Sequence, residues 1–173
     1  MSKRSFAQEM EATRSDVGQI VMWCGVIALH QRYGIGPSRQ DRLGKAVEED
    51  SLIAQRAGLT WMMREIHQNL VEVLPAEELE FRVPMLRAPK NRKEQQLAMA
   101  GNQAATMAWM ILARGVRREF GFGAGRLHQL REDILENYRQ FNVWCKEDGI
   151  EVALEKLRRC AERAIQDELI LEL

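Results

Sequence analysis

The sequence predicts an all-α fold of six to seven helices in one compact domain. Three observations carry that expectation. Proline occurs only four times in 173 residues, and Leu, Ala, Glu, Arg, Met and Gln are abundant; these side chains lose little on entering a helix. Apolar residues recur at helical spacing over most of the chain. Finally, one pattern occurs twice, 87 residues apart: Tyr33-Gly34-Ile35-Gly36 with Arg39 and Leu43, then Phe120-Gly121-Phe122-Gly123 with Arg126 and Leu130.

The elements follow in order. From Thr13 to Tyr33, Val17, Ile20, Val21, Cys24, Ile27 and Ala28 form one helical face. Gly34 and Gly36 end that helix, because glycine readily takes the left-handed geometry of a C-terminus. Pro37 or Ser38 opens a second helix, proline being tolerated in a first turn, and it runs through Leu43 and Val47 to about Asp50. A third is expected from about Leu52 to Leu74, weakened in the middle by Gly58.

Pro75 to Lys93 holds three of the four prolines and reads as an irregular connector. Within it, Glu78 to Val83 alternates polar and apolar residues, so a short hairpin is one option. Helix resumes near Lys93 and continues to Phe120, burying Leu97, Ala104, Ala108, Ile111, Leu112 and Val116. Past the second glycine corner, Leu127, Leu130, Ile134, Tyr138 and Phe141 share a face of a helix ending near Trp144. Asp148-Gly149 is a turn. A last helix, Glu151 to about Leu169, presents Val152, Leu154, Leu157, Ala161 and Ile165.

The register of the repeat extends beyond its glycines. Val17, Val21, Cys24, Ala28 and Leu29 fall opposite Ala104, Ala108, Ile111, Gly115 and Val116, and Val47 falls opposite Ile134. This suggests one helix–corner–helix unit used twice. Residues 1–74 form a first unit, 75–93 a connector and 94–173 a second unit, all sharing one core. Gly25, Ala28, Ala104, Ala108 and Gly115 allow close approach, either between the two copies in a pseudo-twofold core or between chains in a homodimer.

Bulk properties narrow the class. No run of about 18 apolar residues exists, so no membrane span is expected. Met1-Ser2-Lys3-Arg4-Ser5 lacks the apolar stretch of a secretory leader. Cys24, Cys145 and Cys160 are odd in number and widely spaced, which fits reduced thiols, core packing and a cytoplasmic location. Zero net charge hides a split: residues 82–131 carry ten Lys or Arg and two Glu, between two acidic flanks. Such a middle suits an anionic partner or neutralisation by the chain's own flanks.

Gly34-Ile35-Gly36-Pro37-Ser38-Arg39 resembles the hairpin of helix-hairpin-helix DNA-binding modules. That resemblance implies phosphate contacts by Gly34, Gly36 and Arg39, and by Gly121, Gly123 and Arg126 at the second corner. Arg87, Lys90, Arg92, Lys93, Arg114, Arg117 and Arg118 would supply the surrounding positive field for nucleic acid or another partner. The alternative is a tight corner whose Ile35 or Phe122 plugs the core. Phe120-Gly121-Phe122-Gly123-x-x-Arg126-Leu127 also looks like small helical proteins of Gram-positive phages and prophages; the first copy has Gln40 in place of that leucine. This second resemblance implies a phage accessory protein, a class that includes anti-CRISPR inhibitors of host nucleases.

Enzyme signatures are lacking in the sequence. His30, His67 and His128 are dispersed, with no HExxH and no cysteine at ligand spacing, so neither a metal nor a cofactor is expected. No GxxxxGK[ST] or GxSxG motif occurs. Met62-Met63, Met107, Met110 and the four tryptophans read as core. The expected function is therefore non-catalytic binding of a protein or nucleoprotein target such as a host nuclease, with sequence-nonspecific DNA binding as the alternative.

Overall fold

The computed structural model describes residues 3–171, with side chains through Gln166. Met1 and Ser2, at the start of the stretch read against a secretory leader, lie outside the described residues. Among those described, seven helices follow one another: α1 Phe6–Tyr33, α2 Pro37–Ala57, α3 Leu59–Leu70, α4 Ala76–Leu79, α5 Arg92–Phe120, α6 Ala124–Asp148 and α7 Ile150–Leu171. No strand occurs among the described residues. The fold is all-α.

Local chemistry sets the helix ends. Ser5 caps α1 reciprocally with Gln8, and Asn91 caps α5 by accepting from Glu94 N at 2.9 Å. The two glycine corners share one backbone conformation. Gly34 sits at φ 63°, ψ 25° and Gly121 at φ 67°, ψ 29°. In each, the glycine N–H and the next N–H turn back onto the helix just ended: Gly34 to His30 O and Ile35 to Leu29 O, Gly121 to Arg117 O and Phe122 to Val116 O. This is the Schellman closure, and its αL residue favours glycine.

Gly58 departs from expectation. It is a break between α2 and α3, at φ 97°, rather than a weak point inside one helix spanning 52–74. Gly149 ends α6 in the same way at φ 87°. The alternation over Glu78–Val83 does not form a hairpin. α4 is a single turn ending at Leu79, Glu80 after it is extended, and Leu79 and Phe81 are both buried. On α7 the buried face is Ala153, Leu157, Ala161 and Ala164, whereas Val152 and Ile165 are exposed.

α1 and α5 run side by side in the same direction. Lys93 Nζ meets Glu9 Oε2 at 2.9 Å near their starts. Gly101 lies against Thr13 and Val17, Gly25 receives the Leu112 side chain, and Tyr33 meets Phe122 at the far end. The small residues thus serve contact within one chain.

Coverage of these two helices is exchanged. α6 and α7 pack on α1, while α2 and α3 pack on α5. Ile134 of α6 flanks Gly25 of α1, and Leu43 and Val47 of α2 flank Gly115 of α5. Ion pairs tie the exchange at its edge: Arg32 to Asp133 at 2.6 Å, and Arg42 to Glu119 at 3.4 Å. One contiguous cluster of buried side chains results, drawn from both halves of the chain.

Candidate functional site

The parallel run of α1 and α5 brings both glycine corners to one end of the molecule. Ile35 is 2 % exposed and Phe122 3 %. The Phe122 ring lies 4.9 Å from Tyr33 edge-on and 6.2 Å from Phe120. The corners therefore plug the core. Gly34 and Gly121 use their N–H groups in closing α1 and α5. Gly36 and Gly123 instead open α2 and α6, and neither end has a side-chain cap.

The corner arginines are exposed but engaged. Arg39 donates to Gly34 O at 3.1 Å, and the Arg126 guanidinium lies 5.8 Å from the centre of the Phe122 ring. Arg117 donates to Phe122 O at 3.5 Å. Arg114, Arg117 and Arg118 border an open basic hollow beside Gly121 and Asn69. Two of them face acids of α2: Arg118 meets Glu49 at 3.5 Å and Arg114 meets Asp50 at 3.6 Å.

Arg87, Lys90, Arg92 and Lys93 are not part of this group. They lie around the start of α5, and 24 residues of helix separate Lys93 from Arg117, about 36 Å. Here Arg87 pairs with Glu94 at 2.9 Å, Lys93 with Glu9, and the Lys90 N–H donates to Glu94. The single basic field inferred from the sequence is split between opposite ends. At both, acids of the chain itself answer much of it.

Asp50 is 2 % exposed, and its Oδ1 accepts no hydrogen bond. Burial pushes its carboxyl above the usual 3.8, opposed by Arg114 and Arg118. A raised folded pKa means a contribution fully present below the unfolded value and lost as pH rises through the folded one. Asp50→Asn should therefore gain on the natural protein as pH rises above 3.8. Urea unfolding across the mildly acidic to neutral range checks this; a variant that loses ground toward neutral pH refutes it.

A second region carries no clear mark in the sequence. A cleft of about 1340 Å³ opens between α1, the α2–α3 break and α5. Met22, Met63, Met99 and Met107 line it with Leu59, together with Ser15, Gly18, Gln55 and Gln103. Met99 is 62 % exposed and Leu59 50 %. Trp61, read as core, is 47 % exposed on the same helix as Met63. The available signal was nine methionines in 173 residues, but thioethers at helical spacing fit a core equally well.

The remaining chemistry-bearing groups are scattered. Cys24 is buried, and burial raises its thiol strongly. Cys145 and Cys160 pack against the core from intermediate positions. His128 pairs with Glu78 across the connector, and His30 Nδ1 lies 3.2 Å from Ile35 O. Among the described residues no group of three or more His, Cys, Asp or Glu is placed to hold a metal. No helix among them is long and apolar enough to cross a membrane.

No known protein family, curated protein or solved structure matches the chain. Its own geometry is what bears on function.

Proposed function

We propose that this is a non-catalytic binding protein that works through contact with a protein or nucleoprotein target, using the methionine-lined cleft. The carrying observation is the cleft itself. It is open, its lining mixes four methionines with polar and charged side chains, and it exposes Leu59 and Met99. Methionine repacks at little cost, which suits a surface that must accept another chain. An anti-CRISPR-type inhibitor from a phage, occluding a host nuclease, is the specific form that the corner resemblance supports.

The test is affinity capture from a bacterial lysate with the full chain, run beside a Leu59→Glu/Met99→Glu variant. Both side chains are half exposed or more, so the fold should persist at a cost below about 1 kcal/mol. A partner recovered by the natural chain and missing from the variant supports the reading. Equal recovery by both, or turnover of a small substrate by the purified protein, overturns it.

Direct DNA binding is the second reading, favoured by one observation. α2 and α6 both begin at glycines without a side-chain cap, beside Arg39 and Arg126, and such helix starts attract phosphate. If the corners grip DNA, binding should weaken steeply with salt. Arg39→Ala with Arg126→Ala should then lower the log–log salt slope by about one for each phosphate that is no longer neutralised. No mobility shift with micromolar protein at low salt eliminates this reading.

A further inference from the structure

We infer that the basic hollow at the end of α5 binds the terminal phosphate of a small molecule, taken by Arg114, Arg117 and Arg118. The site is separate from the methionine-lined cleft, and it uses neither Arg39 nor Arg126. A set of guanidinium donors that the fold gathers and leaves unspent points to it.

Sequence spacing builds the cluster. Arg114, Arg117 and Arg118 stand at i, i+3 and i+4 near the end of α5, so they share a face on which like charges repel. The C-terminal end of a helix attracts cations, which accounts for their charge and not for their idle N–H groups. Arg114 stands 3.6 Å from Asp50 and Arg118 stands 3.5 Å from Glu49. Arg117 reaches Phe122 O at 3.5 Å. All three separations exceed the roughly 2.7–2.9 Å of a charge-assisted hydrogen bond. Other arginines of the chain are seated closer: Arg32 Nε lies 2.6 Å from Asp133, Arg87 2.9 Å from Glu94, and Arg131 2.7 Å from Glu80 O. At the hollow, the acids of α2 balance charge without filling the donors.

The lining sets the class of ligand. The three arginines border a space of about 580 Å³ with Asn69 of α3 and Gly121, and no apolar side chain lines it. A planar fork of N–H donors matches phosphate oxygens. Three guanidiniums suit a phosphate monoester, which presents three terminal oxygens and about −1.5 to −2 charges near neutral pH. A diester offers less charge and fewer free oxygens. The space is of the size of small-molecule sites, about 300–1,000 Å³, so a bare phosphate ion would leave most of it empty. The phosphate therefore arrives attached to a small body.

Isothermal titration calorimetry of the full chain at low ionic strength tests this. The probes are phenyl phosphate, inorganic phosphate and the diester methyl phenyl phosphate. Phenyl phosphate should bind at one site with a submillimolar Kd, at least as tightly as inorganic phosphate, and the diester about tenfold or more weakly. Arg117→Gln and Arg118→Gln should each weaken phenyl phosphate about tenfold or more. The Arg118 side chain is 53 % exposed, so that variant keeps its fold. Arg139→Gln removes the same charge from an exposed position on α6 and should leave affinity unchanged. Four results overturn the inference: no saturable binding, affinity indifferent to both hollow variants, an equal loss in Arg139→Gln, or a diester bound as tightly as the monoester. Tighter binding of inorganic phosphate than of phenyl phosphate overturns it as well, because the hollow would then serve the free ion. Lysate capture through Leu59 and Met99 concerns the cleft, so either result can fail without the other.

Discussion

Phe122→Ala is expected to destabilise the protein by about 3–5 kcal/mol, the range for deleting a buried aromatic ring. The ring is 3 % exposed and sits where the two corners meet, against Tyr33 of the first and Phe120 of its own. Its removal would leave a cavity at the joint between α1 and α5, and Schellman-closed helix ends have little freedom to collapse into it. Ile35→Ala, at the matched position of the other corner, should cost about 2–5 kcal/mol by the same mechanism. Arg39→Ala and Arg126→Ala should each stay near about 0.5 kcal/mol, because both side chains are exposed. Urea denaturation of the four variants makes the comparison. A Phe122→Ala cost no larger than that of the arginine variants would show that the aromatic joint does not hold the corners together.

Trp109→Ala should cost a similar amount, about 3–5 kcal/mol, with a more local second effect. Trp109 is 0 % exposed and its indole N–H holds Glu78 O. Removing it takes away both the wall behind the connector and one of its backbone bonds. The segment should then open at lower free energy than the helices, as a locally unstable unit. Limited trypsin digestion is predicted to cut the variant faster at Arg82, Arg87 and Lys90 under conditions where the helical core resists. Trp109→Phe separates the two contributions: it keeps most of the apolar wall and gives up a hydrogen bond worth about 0.5–1.5 kcal/mol. Unchanged cleavage in the alanine variant would mean that the connector is held by Thr106, Asn102, Arg131 and Asn142 without the tryptophan.

The parts of the fold legible in the sequence are those fixed by neighbours along the chain. The spacing of Leu127, Leu130, Ile134, Tyr138 and Phe141 defined a buried face, and all five are buried. The aromatic-Gly-apolar-Gly corners were readable because αL glycine caps are a local requirement. Ile35 and Phe122 were readable as plugs for a related reason, since a tight corner turns the residue between its glycines inward. Gly58 marks the limit of this logic. An apolar pattern that runs through it fits one weakened helix or two helices meeting at a break, and only the packing of α3 on α2 and α5 selects the second.

What the tertiary structure alone decided is which element covers which. The exchange that lays α6 and α7 on α1, and α2 and α3 on α5, depends on contacts far apart in sequence, and periodicity carries no record of a face's partner. The same holds for the basic residues. Their nearness along the chain suggested one field, but the 29-residue α5 carries one group away from the other and sets members of each beside acids of the same chain. The cleft arises similarly. Met63 and Met107 have core-like spacing, and they line an opening because the connector covers the α5–α6 side and no described segment fills the other. A methionine stripe encodes an apolar face. Whether that face is filled from within or left open is settled only when the rest of the chain has been placed.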